Sequence, residues 1–250
     1  MIARKSMRAR RGGAGGKIVN RYFLPEKGGF LACFGASGIA SRRRDVHSVR
    51  IRPTAATEFR IQSHQGETMP NQNYTLFSGG AQGAENQFGK LAEYHGLSEV
   101  NYTFEGHRIE RARGVRVLTD EELTQKDVSL TYVSRLLNRK FTNAEKMRKV
   151  LQTIMWQVDA SQQIFVVGTI LDDGTVKGGT GWGAEFAKIC NKDLFVFDQA
   201  KDAWSKWEHG AWKSVEAPVI AAGHFTGTGT RFLEENGKKA LEDLFSRSFK

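Results

Sequence analysis

The octapeptide Ser78-Gly79-Gly80-Ala81-Gln82-Gly83-Ala84-Glu85 puts three glycines within five residues, between an apolar run, Tyr74-Thr75-Leu76-Phe77, and a stretch with helical spacing. Glycine has no Cβ, so the main chain of such a turn can approach an anion closely at the mouth of a helix beginning near Ala84. The first amides of a helix have no partner within it, and the macrodipole favours negative charge there. Phosphate binding is the chemistry this pattern offers, with Ser78, Gly79, Gly80, Gln82 and Gly83 as candidate contacts.

About a hundred residues later a second cluster, Gly178-Gly179-Thr180-Gly181-Trp182-Gly183-Ala184-Glu185, again lies between a strand-like hairpin and a helix-like segment. It adds Gly178, Gly179, Thr180, Gly181 and Trp182 as ligand contacts. A third small-residue turn, Thr226 to Arg231, brings Arg231, whose guanidinium pairs bidentately with phosphate oxygens. Neither the dinucleotide fingerprint G-x-G-x-x-G nor the Walker ending G-K-[ST] is present. Taken singly, either cluster reads as a tight structural turn before it reads as a site; together, with the third turn, they point to an anionic ligand.

Glu185 falls in the first turn of the second helix and is the candidate catalytic group: it could accept ribose hydroxyls or assist departure of a base. Its alternative role is electrostatic support of the helix start, and Glu85 has the same two readings. Trp182 could stack on a base or simply pack. Trp204, Trp207 and Trp212 flank Gly210 in a short hairpin, either as its packing or as a lid. His95, His107, His209 and His224 show no spacing for a metal or a nucleophilic triad, and no cofactor is expected.

The elements that must position these groups alternate. A strand over 74–77 precedes a helix from Ala84 to Tyr94 with Phe88, Leu91 and Ala92 on one face, closed by Gly96. A strand near Val100 to Phe104 leads into an Arg-rich loop, His107 to Arg116. Helical spacing resumes at Asp120, and a longer helix runs from Asn143 to Gln157. Strand Ile164 to Ile170, a tight turn at Asp173-Gly174, a helix from Ala184 to Cys190 and strand Leu194 to Phe197 follow. Val219 to Phe225 reads as the last strand and Phe232 to Phe245 as the last helix. The fold class is therefore α/β: a mostly parallel sheet with helices on both faces and ligand turns at the carboxyl ends of the strands.

The charge divides the chain in two. Residues 1–68 hold 14 Lys+Arg and 4 Asp+Glu, a net of +10, which is the +10 of the whole chain; residues 69–250 are left with 37 − 14 = 23 basic and 27 − 4 = 23 acidic side chains. Overall basicity is thus no argument for nucleic acid, and a nucleotide-like small molecule is the expected partner, with self-association left open. The segment 1–68, rich in Arg, Gly, Ser and Ala, is expected to be a disordered basic leader. It reads as a transit peptide, as an arm that touches nucleic acid, or as sequence upstream of a start at Met69; the last is favoured. Two cysteines, Cys33 and Cys190, argue for a reduced compartment, cytoplasmic, or mitochondrial if the leader is a transit peptide. The longest apolar runs fall far short of the roughly 20 residues that span a membrane.

With those residues in hand, segment 74–249 resembles the SLOG superfamily of Rossmann-like nucleotide-binding proteins, which includes the Lonely Guy phosphoribohydrolases, the DNA-processing protein A family and molybdenum cofactor carrier-like proteins. Ser78 to Glu85 is similar to its S-G-G-A-x-G-A-D turn, and Gly178 to Glu185 to the G-G-x-G-T-x-x-E turn of the phosphoribohydrolases. The resemblance implies that the glycines hold phosphate and that Glu185 takes part in cleaving an N-glycosidic bond. Departures are Trp182 for Thr, Glu85 for Asp, and Lys177 where a Pro is usual. Val158-Asp159-Ala160 is similar to the family's A-D-A, while Leu151 stands near where an arginine is usual, which bears on hydrolysis more than on binding. Phe225 to Arg231 resembles the first strand and turn of ordinary members yet comes last, as in a circularly permuted member. The resemblance supports nucleotide binding first, a nucleoside monophosphate phosphoribohydrolase second, and single-stranded DNA binding last.

Overall fold

The computed structural model describes residues 73–141 and 144–249, so the leader 1–68 and Met69 lie outside the described residues. Strands and helices alternate along them: β1 (Thr75–Ser78), α1 (Ala84–Tyr94), β2 (Ser98–Phe104), β3 (Val115–Leu118), α2 (Asp120–Thr124), α3 (Asp127–Leu136), α4 (Glu145–Asp159), β4 (Gln163–Gly168), α5 (Thr180–Ile189), β5 (Asp193–Asp198), β6 (Ala203–Glu208), β7 (Ala211–Val215), β8 (His224–Gly229) and α6 (Glu235–Ser248).

One eight-stranded sheet in the order β3-β2-β1-β8-β4-β5-β6-β7 results. The pairings from β3 through β5 are parallel, and only the β5–β6 and β6–β7 pairs at one edge are antiparallel. This is the Rossmann-like α/β architecture expected from the alternation of elements.

Both faces are covered because the central strands are apolar on both sides. In β4, Ile164 and Val166 pack with α3, α4 and α5, through Leu130, Met155 and Ala187, while Phe165 and Val167 pack with α1 and α6, through Phe88, Leu241 and Phe245. A period of two within one strand thus supplies two cores. The first helix carries its apolar residues at helical spacing and ends at Gly96, whose φ of +70° suits the reversal.

Three boundaries differ from the sequence expectation. Thr226 to Gly229 is not a turn but the inner half of β8, which sits between β1 and β4. Glycine disfavours strands, yet here it admits α1: a Cβ on Gly227 would strike the Phe88 ring, and one on Gly229 would meet Ala84 Cβ at 2.7 Å. Val219 to Ala222 precedes that strand as irregular chain, with the Ala221 and Ala222 amides donating to Gln163 Oε1 at 2.8 and 2.9 Å. Within the Arg-rich passage lies the edge strand β3, whose exposed Val115 and Val117 and interposed Arg116 hide its pattern. Finally, α5 starts at Thr180, so Thr180 to Gly183 are helical.

Candidate functional site

The carboxyl ends of β1, β8 and β4 lie side by side, where β1 leads toward one edge of the sheet and β4 toward the other. In open α/β sheets such a reversal leaves a crevice. Here it is a cleft of about 520 Å3, walled by the β1–α1 turn (Ala81, Gln82), the end of β8 (Thr228 to Arg231), the segment after β4 (Lys177 to Thr180) and apolar side chains of α4 such as Leu151 and Ile154. All three glycine-containing segments singled out in the sequence reach this one space.

The mouth of α5 is the more open of the two. The N–H groups of Gly178, Gly179 and Thr180 have no backbone acceptor among the described residues. A Cβ on Gly178 or Gly179 would meet nothing within 4 Å. Gly178 has φ +74°, which turns the chain into the helix. Arg139 holds this turn from behind, donating to the carbonyls of Val176 at 3.0 Å and Gly178 at 3.4 Å and to Thr175 Oγ1 at 2.7 Å. With the acceptors tied back, the donors are left on the cleft side, beside Lys177.

The mouth of α1 is partly filled by the chain itself. Glu85, only 7% exposed, accepts a hydrogen bond from the Ala81 N–H at 3.0 Å and another from the Thr228 hydroxyl at 2.8 Å. Ala84 N–H donates to Thr230 O at 3.0 Å. The amides of Gly79, Ala81 and Ala84 are therefore occupied, while those of Gln82 and Gly83 lack a backbone acceptor among the described residues. Burial pushes the Glu85 carboxyl above its usual range, against the pull of the hydrogen bonds from Thr228, Ala81 and Gly79. A buried carboxyl with a raised pKa is a candidate acid at the cleft floor.

Behind the same turn a buried ion pair sets the shape. Arg111 donates to both oxygens of Glu99, at 2.6 and 2.7 Å, and Gly80 O accepts from the amides of Glu110 and Arg111 at 2.8 and 3.2 Å. The Arg-rich loop thus lies beside the turn, where its buried arginine supports the backbone and is committed to carboxylates.

Among the sequence candidates, Gln82, Gly178, Gly179, Thr180 and Arg231 line the cleft. Ser78 does not: it is fully buried and its hydroxyl donates to Gly227 O at 2.9 Å, tying β1 to β8. Gly80 faces Asn101 and Arg111, and Gly83, at φ +88°, lets the turn pass 2.5 Å from the Thr230 and Arg231 carbonyls, measured from the Cβ it lacks. Gly181 lies against the Val176 carbonyl and belongs to the packing of α5. Trp182 is 5% exposed and sits in the core at 6.3 Å from the Phe141 ring, so it is not a platform for a base. Glu185 points away from the cleft: it pairs with Lys188 at 3.1 Å, and that ammonium lies 4.1 Å from the Trp207 ring centre. Helical residues five apart project in different directions, and the early start of α5 rotates Glu185 off the cleft.

The tryptophan hairpin is packing. Trp204 is buried beside Phe165 and Phe197, and Trp207 and Trp212 meet edge to face at 5.1 Å; none lines the cleft. Cleft residues passed over in the sequence are Thr228 and Gln199, both strand-end polar groups; Arg139, also passed over, supports the turn from behind without lining the cleft. Among the described residues no group of three or more His, Cys, Asp or Glu is placed to hold a metal ion, and no helix is long and apolar enough to cross a membrane.

Comparison of the chain with protein-family models, with curated proteins and with solved structures gave no match.

Proposed function

We propose that this protein binds a nucleotide or nucleotide-derived phosphorylated ligand, with the phosphate at the mouth of α5 and the rest of the ligand along the cleft toward Glu85. The observation that carries this reading is the convergence of the Gly178 to Thr180 amides, Lys177 and Arg231 on one cleft between parallel-strand ends. Free amides, a helix dipole and two cations of different geometry form a combination suited to phosphate. The similarity of the two glycine turns to those of the SLOG superfamily supports the same reading. So does β8: its central place beside β1 is where the first strand of an unpermuted chain would stand.

A second reading, cleavage of an N-glycosidic bond, draws support from the buried Glu85 carboxyl at the cleft floor. Glu185 is no longer the residue for that role, since its carboxylate is paired outside the cleft. Single-stranded DNA binding has the least support, because residues 69–250 balance 23 basic against 23 acidic side chains.

The test is calorimetric titration of the full chain with inorganic phosphate, ribose 5-phosphate and the four ribonucleoside monophosphates, with released base followed by chromatography. Saturable binding that weakens about tenfold in Lys177→Ala or Arg231→Ala is the expected outcome. Release of free base that is abolished in Glu85→Gln and retained in Glu185→Ala would establish the hydrolytic reading. Failure of every phosphate compound to bind would reject phosphate recognition altogether.

A further inference from the structure

Beside the phosphate cleft lies a second cavity of about 410 Å3, separated from it by nothing more than shared walls: Ala81, Glu85, Met147, Val150, Ile154 and Arg231 line both. The residues belonging to the second cavity alone include Gly79, His107, Thr153 and Gln157. Its walls are largely apolar, with a few polar groups, which is the composition of a pocket that orients a flat organic ring.

Gln157 stands out among them. Its side chain is 1% exposed, and its Oε1 has no hydrogen-bond partner. The main chain of the same residue is fully engaged, with its carbonyl accepting from Thr226 Oγ1 at 2.7 Å and Ser161 Oγ at 3.2 Å. Buried polar groups are nearly always paired, so a carboxamide that lines the cavity and makes no side-chain hydrogen bond among the described residues calls for a partner from outside the chain. Gly79 makes room for this arrangement: a Cβ there would lie 2.8 Å from Gln157 Nε2 and 2.9 Å from Glu85 Oε2. The glycine turn therefore has a second use, which is to let the amide and the carboxyl sit together at the cavity wall.

The other polar groups are chemically mild. Thr153 Oγ1 is committed to Val150 O at 2.7 Å, and His107 Nδ1 lies 3.1 Å from Thr103 Oγ1, with its ring stacked on Phe104 at 4.7 Å. Partial burial, with Lys146 nearby, lowers the His107 pKa and favours the neutral ring. The cavity's two cations, Lys146 and Arg231, are both exposed, and Arg231 is shared with the first cleft. An uncharged ring whose edge carries a donor beside an acceptor matches a carboxamide, which presents one of each.

We propose that this cavity takes the nucleobase of the ligand and that Gln157 reads its hydrogen-bonding edge. The inference rests on the nucleotide reading given above and deepens it by giving the base a place and a hydrogen-bonding partner. A sugar phosphate without a base fills only the first cleft. A nucleoside monophosphate fills both, crossing over Glu85.

The full chain is titrated with ribose 5-phosphate and with adenosine, guanosine, cytidine and uridine 5′-monophosphates, before and after Gln157→Met, which keeps length and removes both hydrogen-bonding atoms. At least one nucleotide is expected to bind tenfold or more tighter than ribose 5-phosphate, and that advantage to vanish in Gln157→Met while ribose 5-phosphate affinity stays the same. Ala144→Trp, at an exposed position on the rim of the second cavity alone, serves where Gln157→Met fails to fold; it is expected to remove the same advantage by filling the space. Nucleotides that bind no better than ribose 5-phosphate, or an advantage that survives both substitutions, would overturn the base pocket and leave the phosphate site standing. If neither ribose 5-phosphate nor any nucleotide binds, both readings fall.

Discussion

The Thr228 hydroxyl donates to Glu85 Oε1 at 2.8 Å, joining the central strand β8 to the first turn of α1 across 143 residues of sequence. The Ala81 amide holds the other oxygen, so the carboxyl is fixed between the first and last parts of the described chain. Because burial raises its folded pKa above the unfolded value, the folded state holds the proton more tightly. Its stabilising contribution is complete below the unfolded pKa of about 4.3 and is lost as pH rises through the folded pKa. Glu85→Gln keeps the hydrogen-bonding shape without a titrating proton. It is expected to melt higher than the parent at pH 8 and to show a flatter Tm profile as pH rises above the unfolded carboxyl range. Parallel Tm profiles for the two proteins would mean that this carboxyl does not carry the linkage.

The alternation of strands and helices was legible because the strongest patterns, α1 and β4, are either amphipathic at helical spacing or continuously apolar. What escaped was anything set by close approach. Gly227 and Gly229 look like turn residues until Phe88 and Ala84 are placed against them, and no local pattern announces that contact. The same limit governs the site. Gly178, Gly179 and Arg231 could be found from residue type and spacing, but the direction of a helical side chain could not. A shift of four residues in the start of α5 is enough to turn Glu185 away from the cleft and to bury Trp182. Gln157 had no signal at all, since a glutamine near a helix end is ordinary until its acceptor is seen to be orphaned.

Arg139 reaches three acceptors of the hairpin that precedes α5 without lining the cleft. Its removal frees the carbonyls of Val176 and Gly178 and lets the turn relax. Arg139→Ala is expected to weaken phosphate binding about tenfold and to cost roughly 1.5–3 kcal/mol of stability, the range for hydrogen bonds to a charged group. Arg139→Lys should recover little, because a single ammonium cannot span acceptors that a planar guanidinium meets together. Calorimetric affinity and urea unfolding of the two variants check both statements, and full rescue by lysine would remove the geometric argument.

Trp182 packs in the core against Phe141, and Glu185 is paired with Lys188. Trp182→Ala is expected to destabilise by about 3–5 kcal/mol, the cost of deleting a large buried side chain. Glu185→Ala should cost about 1–3 kcal/mol, since the largely buried Lys188 ammonium loses its carboxylate partner while keeping the Gly174 carbonyl. Neither Trp182→Phe nor Glu185→Ala should alter ligand affinity by more than twofold. A tenfold loss of affinity in either, at unchanged fold, would return that residue to the site.

Two glycines of the same segment types separate a structural from a ligand-facing role. At Gly227 a methyl group would collide with the Phe88 ring, which is itself fully buried between α1 and the sheet and has no room to yield. Gly227→Ala is therefore expected to cost about 1–3 kcal/mol or more, the range for overpacking a close helix–strand contact. At Gly179 the backbone is already helical, with φ −62° and ψ −36°, and a methyl meets nothing within 4 Å. Gly179→Ala should leave stability unchanged or raise it by about 0.5–1 kcal/mol, since alanine loses less backbone entropy in such a conformation. The same methyl stands at the cleft wall among the amides of the proposed phosphate site, so affinity for ribose 5-phosphate is expected to fall severalfold while the melting temperature holds. Urea unfolding and titration of the pair read the two effects separately. Wild-type affinity in Gly179→Ala would place the anion elsewhere than the mouth of α5.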